Sequence, residues 1–362
     1  MRTIGILCTA LLVLLLSLGP VGTASAQEAP AGAATESGGF VPGGALGNQS
    51  DSEFWRMIRQ GAQGNVSIPD KKAGILIQSE GESWRALRNG PLSTAGIWVM
   101  LGMVVLLALF FALRGRIKIE HGRSGRLIER FNLIERIGHW LTAVSFIILA
   151  ITGLNILYGR YVLPQVIGKE AFSTISQAGK WVHDYVAFAF MAGLAMIFVL
   201  WVVHNLPSRH DLIWLAKGGG LFSKGSHPSS RKFNAGQKIV FWVTILGGLS
   251  LSLSGWVLLD PFQYAMFAKT FQFLNIFGFN LPTEITVVQE QQLAQLWHGA
   301  ISLFMIAVIL AHIYIGSMGM EGAFAAMGSG KVDVNWAREH HDLWLEEVEK
   351  AAADEATKVP AE

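Results

Sequence analysis

Five apolar stretches of membrane length, near residues 95–113, 137–158, 182–203, 238–259 and 294–317, decide what this chain can become. About 20 apolar residues cross the hydrocarbon of a bilayer as a helix, and in lipid the backbone must satisfy its own hydrogen bonds. The chain has 362 residues, 51% of them hydrophobic, and a formal net charge of +2. Runs this long exclude a solvated domain, and the charge balance calls for no nucleic-acid partner. The reading is all-α and polytopic: one leading transmembrane helix, then a bundle of helices one to four.

The first apolar run is a different object. "MRTIGILCTALLVLLLSLGPVGTASAQ" has one basic residue, an apolar centre and the small-residue ending Ala24-Ser25-Ala26. It reads as a secretory signal peptide over 1–26, cleaved after Ala26, with one arginine rather than the pair of a twin-arginine signal. The single cysteine, Cys8, lies inside it, so the mature chain has none. That excludes disulfides, thiolate-bound iron–sulfur clusters and covalently attached haem. The expected plan continues with an exported segment at 27–93 and the leading helix with its loop at 94–136. The bundle then covers 137–320, and a tail that looks helical and solvated covers 321–362. Within the exported segment "FWRMIRQG" and "SWRALRNG" both read Trp-Arg-x-x-Arg-x-Gly, at Trp55 and Trp84. They are either packed amphipathic turns or a partner-docking surface, since Trp and Arg are favoured interface anchors.

Charge orients the helices. The loops at 114–136 and 204–238 carry seven and six Lys/Arg; those at 159–181 and 260–293 carry three and one. The positive-inside rule puts the first two loops and the C-terminus in the cytoplasm. The signal peptide independently puts residues 27–93 outside. The expectation is a multi-pass protein of a bacterial inner membrane with a periplasmic mature N-terminus.

Ionisable side chains inside a membrane are costly and mark function. His121, His210, His227, His340 and His341 fall in loops or the tail, where solvation explains them. His139, His183, His204, His298 and His312 do not. His139 opens helix one on the inner side, and His183 opens helix two on the outer side. On helix four, fourteen residues put His312 about 21 Å inward of His298 and to within roughly 40° of the same face. Depth therefore pairs His183 with His298 near the outer face, and His139 with His312 near the inner face. Two axial imidazoles suit a six-coordinate haem iron, so two stacked haems account for the interval. His204 lies about 10 Å beyond the level of His312 and is a reserve ligand for the inner haem or a quinone-site residue. The small row Gly247, Gly248, Ser252, Gly255 on helix three admits either close helix packing or a flat macrocycle. A His-based transporter is weakened by the lack of carboxylates in helices one, three and four; helix two has only Asp184, at its edge. A cofactor-free anchor is the other class.

In order, the motifs "IERIGHW", "GKWVHDYVAF", "VVHNLPSRHDLIWL", "KFNAGQKIVFW", "LWHGAISLFMIAVILAHIYIG" and "GKVDVNWAREHH" resemble the gamma (cytochrome b) subunit of respiratory formate dehydrogenase. The resemblance covers about 130 to 350, and the leading helix and exported segment match the longer bacterial form. It implies two non-covalent b-type haems, with His183 and His298 on the outer and His139 and His312 on the inner. It also implies a quinone site lined by Asn234, Gly236 and Gln237, although "FNAGQK" read by itself is a helix start with Asn as its cap. The partners implied are an iron–sulfur (beta) subunit and a molybdenum or tungsten catalytic (alpha) subunit, which supply electrons bound for a quinone. This chain itself has no catalytic residue. Cytochrome b subunits of nickel–iron hydrogenase or thiosulfate reductase are the nearest rivals, since the ligands would be the same.

Overall fold

The computed structural model describes residues 81–221, 225–260 and 263–357. The expected signal peptide, residues 27–80 and the Trp55 half of the repeat lie outside the described residues. Among the described residues, five helices are long and apolar enough to cross a membrane. Gly81–Leu87 (α1) runs through a π-helical turn into Ser93–Arg114 (α2), the leading helix. Leu133–Leu154 (α3) continues through a second π turn into Arg160–Ile167 (α4), and Lys169–Trp201 (α5) follows. Then come Arg209–Ala216 (α6), Ala235–Leu259 (α7), Met266–Asn275 (α8) and Val287–Tyr314 (α9).

Most of these helices outrun their apolar segments because their capping residues lie outside them. Asn132, Asn234 and Thr286 open α3, α7 and α9 with reciprocal capping boxes to Glu135, Gln237 and Gln289. Each box satisfies two backbone N–H groups that would otherwise meet the headgroup boundary unpaired. The added first turns of α3 and α9 each bring in a carboxylate that is buried and engaged. Glu290 accepts from the backbone N–H groups of Phe267 and Ala268 at the start of α8. Glu135 accepts from Lys232 and from the Trp201 indole.

Helix α3 packs along α5 and α7 along α9, while α5 and α7 join the two pairs. The α3–α9 and α5–α9 approaches are looser than these, and the line along which they face is the seam between the pairs. Phe146, Phe190, Leu194, Ile197, Ile245 and Met305 are buried at mid-bundle. The small row on α7 divides here. A Cβ on Gly247 would come 2.5 Å from the Met305 sulfur, and one on Gly248 would come 2.9 Å from Leu194. Those two glycines serve close helix packing. Outside the bundle α2 lies on α9, where Leu303 and Tyr158 occupy the space above Gly96 and Tyr158 Oη donates to the Ser93 carbonyl at 2.8 Å.

The tail departs from the solvated segment expected. Ala323–Gly328 (α10), Val334–His340 (α11) and Asp342–Ala356 (α12) fold back on the loop after α2. Leu127–Glu129 (β1) pairs antiparallel with Lys331–Asp333 (β2), Ile128 opposite Val332. His341, at 1% exposure, and Trp336, at 2%, are as buried as the membrane core. The Arg130 guanidinium lies among Phe131, Trp336 and Trp344 at 4.9–5.2 Å and donates to His341 Nε2 at 3.0 Å. His341 Nδ1 donates in turn to the Arg231 carbonyl at 2.7 Å. Apolar Val332, Val334, Ala337 and Leu345 pull this segment down. Their face is split over a strand and two helices, so no single period displays it.

Candidate functional site

Two histidine pairs bridge the seam. His183 on α5 faces His298 on α9 with ring centres 6.2 Å apart and planes at 62°. His139 on α3 faces His312 on α9 with centres 6.3 Å apart and planes at 59°. The two levels are fourteen residues apart along α9, about 21 Å of rise. Met305, fully buried, stands midway between them. Among the described residues no group of three or more His, Cys, Asp or Glu is placed to hold a metal ion, so each of these two levels offers a pair of imidazoles.

The His183/His298 level is built twice over. Thr152 Oγ1 lies 2.8 Å from His183 Nδ1, and Ser254 Oγ lies 2.9 Å from His298 Nδ1. Each hydroxyl donates its own hydrogen to the carbonyl four residues back, Ile148 at 2.8 Å and Ser250 at 2.9 Å. What it turns to the ring is a lone pair, so each Nδ1 carries the hydrogen and each Nε2 keeps its lone pair free. The next residue is glycine in both helices. A Cβ at Gly153 would sit 3.4 Å from His183 Cε1, and one at Gly255 would sit 3.5 Å from His298 Cε1. The sequence reading missed Thr152, Gly153 and Ser254. The available signal was the matching "TG" of helix one and "SG" of helix three.

The His139/His312 level differs. His139 Nδ1 is buried without a partner, and its ring meets Trp140 at 5.2 Å and Trp201 at 6.5 Å. Trp201 Nε1 donates to Glu135 Oε1 at 3.0 Å, where Lys232 Nζ also reaches at 2.6 Å. A buried ion pair thus stands one side chain away from the ring. Asn234 and Gln237 close the capping box of α7 with their amide oxygens, and Trp214 of α6 occupies the space above Gly236. His204 stands beyond α5 in a short turn at Val203–Asn205, exposed to the outside of the bundle. Partial burial and then the nearby Lys232 lower its pKa, so the ring is predominantly neutral at pH 7. Two of the loop histidines pair with carboxylates: His121 with Glu339 at 2.9 Å and His227 with Glu120 at 3.0 Å.

Residues 130–330, the seam and both histidine levels, match the family model described as prokaryotic cytochrome b561. The chain is 30% identical over 230 residues to the formate dehydrogenase cytochrome b556(fdo) subunit of Escherichia coli K12, covering 63% of this chain and 97% of that protein. It is 28% identical over 233 residues to the nitrate-inducible formate dehydrogenase cytochrome b556(Fdn) subunit of the same organism, covering 64% and 95%. A formate dehydrogenase cytochrome b556 subunit of Haemophilus influenzae is 26% identical over 234 residues, covering 64% and 87%. This chain belongs to the prokaryotic cytochrome b561 family, among the cytochrome b (gamma) subunits of formate dehydrogenase.

Proposed function

We propose that this chain holds two b-type haems, one between His183 and His298 and one between His139 and His312, and conducts electrons across the membrane to a quinone. The observation that carries the reading is the equality of the two imidazole separations, 6.2 and 6.3 Å. A first-row metal bonds imidazole nitrogen at about 2 Å, and a ring radius of roughly 1.1 Å on each side makes about 6.2 Å between ring centres. The seam between the helix pairs supports it too, because the helices that present facing imidazoles pack less closely than α3 with α5 or α7 with α9. The free Nε2 atoms fixed by Thr152 and Ser254 are the donors that iron requires.

When bound, each haem supplies a one-electron couple at its iron. The chain's residues do the rest. The four imidazoles hold two levels in register, and Phe146, Phe190, Leu194 and Met305 keep the space between them dry. In the orientation set by the positive-inside rule, the His183/His298 level faces the periplasm of a bacterial inner membrane. There a periplasmic iron–sulfur subunit, fed by a molybdenum or tungsten formate-oxidising subunit, delivers electrons. The quinone binds at the His139/His312 level beside Asn234, Gly236 and Gln237. Because the amide oxygens of Asn234 and Gln237 are spent on the cap, their NH2 groups are what they offer a quinone carbonyl. Cytoplasmic protons reach the quinone at that level. Moving an electron fully inward costs about 2.3 kcal/mol per 100 mV of membrane potential, and that charge separation conserves the energy of formate oxidation.

The test is an optical spectrum and haem assay on the purified chain. Two b-type haems per chain after dithionite reduction are expected. Absence of the bands refutes the reading, and one haem per chain removes one of the two pairs. A His298→Ala variant should lose about half the absorbance and all quinone reduction from the physiological donor.

A further inference from the structure

The two levels differ in the hydrogen bonds their rings make. At the His183/His298 level both Nδ1 atoms meet a hydroxyl, Thr152 Oγ1 at 2.8 Å and Ser254 Oγ at 2.9 Å. At the His139/His312 level neither ring has a hydrogen bond among the described residues, and His139 Nδ1 is buried unpartnered. Hydroxyls in membrane helices ordinarily bond back to their own helix and do nothing else. Thr142 and Ser252 behave that way, donating only to Gly138 and Gly248. Thr152 and Ser254 also bond back, and each in addition takes a ring N–H. Each is followed by a glycine on which an added Cβ would stand 3.4–3.5 Å from the ring's Cε1, at van der Waals contact.

We propose that Thr152 and Ser254 are positioning residues that set the redox potential of the His183/His298 haem below that of the His139/His312 haem. An acceptor on Nδ1–H draws the hydrogen outward and makes Nε2 a stronger donor, which favours the more positive ferric iron. Two such bonds on one haem and none on the other make the first the easier to oxidise. Electrons arriving at it then run downhill to the level where the quinone binds. The direction of flow is built into two hydroxyls on α3 and α7, neither of which touches iron. This inference rests on the assignment of the four histidines as ligands.

The experiment is a potentiometric titration of the haem-loaded chain in its complex, followed by optical spectroscopy and by the low-spin ferric electron paramagnetic resonance signals. The unmodified protein should titrate as two components, and the spectrum lost in His298→Ala identifies the His183/His298 one as the lower. Thr152→Val and Ser254→Ala should each raise the midpoint of that component and leave the other in place. The double variant should raise it further, and Thr152→Ser and Ser254→Thr should hold it at the unmodified value. A haem content below two per chain in the unmodified protein overturns the ligand assignment itself. With two haems present, a single titrating component, an unmoved midpoint, equal movement of both, or equal effects of Thr152→Ser and Thr152→Val overturn the tuning role. Loss of haem from both single variants overturns it as well, because the hydroxyls would then be needed for assembly rather than potential.

Discussion

Asn234 shows how a single residue can hold two jobs that one substitution will separate. Its side-chain oxygen accepts from the Gln237 backbone N–H at 2.9 Å and caps α7, while its NH2 group is the proposed quinone donor. Asn234→Asp keeps the cap and removes the donor; Asn234→Ala removes both. Thermal unfolding of Asn234→Asp should lie within ~0.5 kcal/mol of the unmodified protein, whereas Asn234→Ala should lose about 1 kcal/mol. Loss of one ligand hydrogen bond, worth about 0.5–1.5 kcal/mol, should raise the quinone KM of Asn234→Asp several-fold to tenfold. An unchanged quinone KM in Asn234→Asp would leave the residue as a cap alone. His139 marks the limit of reading residues singly. Its type and depth were visible in the chain, but the Trp201–Glu135–Lys232 group beside it joins side chains from three distant segments.

At the scale of helices, glycine decides which faces close. Gly248 stands against Leu194 and Phe190, with contacts of 2.9 and 3.1 Å already waiting for any Cβ. Gly248→Leu should overpack the α5–α7 contact and cost about 1–3 kcal/mol, read as a lower unfolding temperature and weaker haem retention at both levels. Gly96 plays the same part for the leading helix against Leu303 and Tyr158. Gly96→Leu should lift α2 from α9 and leave both haems bound, since α2 supplies none of the four histidines. Increased modification of cysteines engineered at Leu303 would report the lift, and haem loss from Gly96→Leu would contradict the separation of α2 from the bundle's function. Apolar length predicted all five spans. It placed the starts of α3, α7 and α9 three to seven residues inside the true ones, because Asn132, Asn234 and Thr286 act through polar bonds that hydropathy does not count.

For the molecule as a whole, the polar base is as much a core as the bundle. Burial first, and then the Arg130 charge, hold the His341 pKa well below its ordinary 6.5, and burial takes His340 to about 4. Arg130 itself is lowered to about 9 by burial, partly offset by Glu135. Since the folded-state pKa of each histidine is depressed, the unfolded state binds protons first as pH falls below 6.5. Stability from the neutral rings is therefore full above pH 6.5 and lost progressively down to about pH 4. The base should loosen over that window while the haem spectrum at pH 6.5 stays native. Hydrogen exchange at Trp336–Leu345 across a pH series measures it, and constant protection down to pH 4 would refute it. His341→Phe should reduce the acid sensitivity. A reporter fused after the tail should be active only in the cytoplasm if the proposed orientation holds.

What the chain determined by itself were properties that depend on one segment at a time: five spans from apolar length, orientation as an expectation from loop charge, and two histidine depths from helix rise. Rise per residue is a local constant, so counting along α9 was enough to separate His298 from His312 into two levels. The tertiary structure decided what required a second segment. It gave Thr152 and Ser254 to the rings of His183 and His298, closed Gly247 and Gly248 on neighbouring side chains, and buried a tail that reads as polar. Each of those is a contact between residues remote in sequence, whose energy depends on the relative placement of two helices. No period in either helix records where its neighbour will stand.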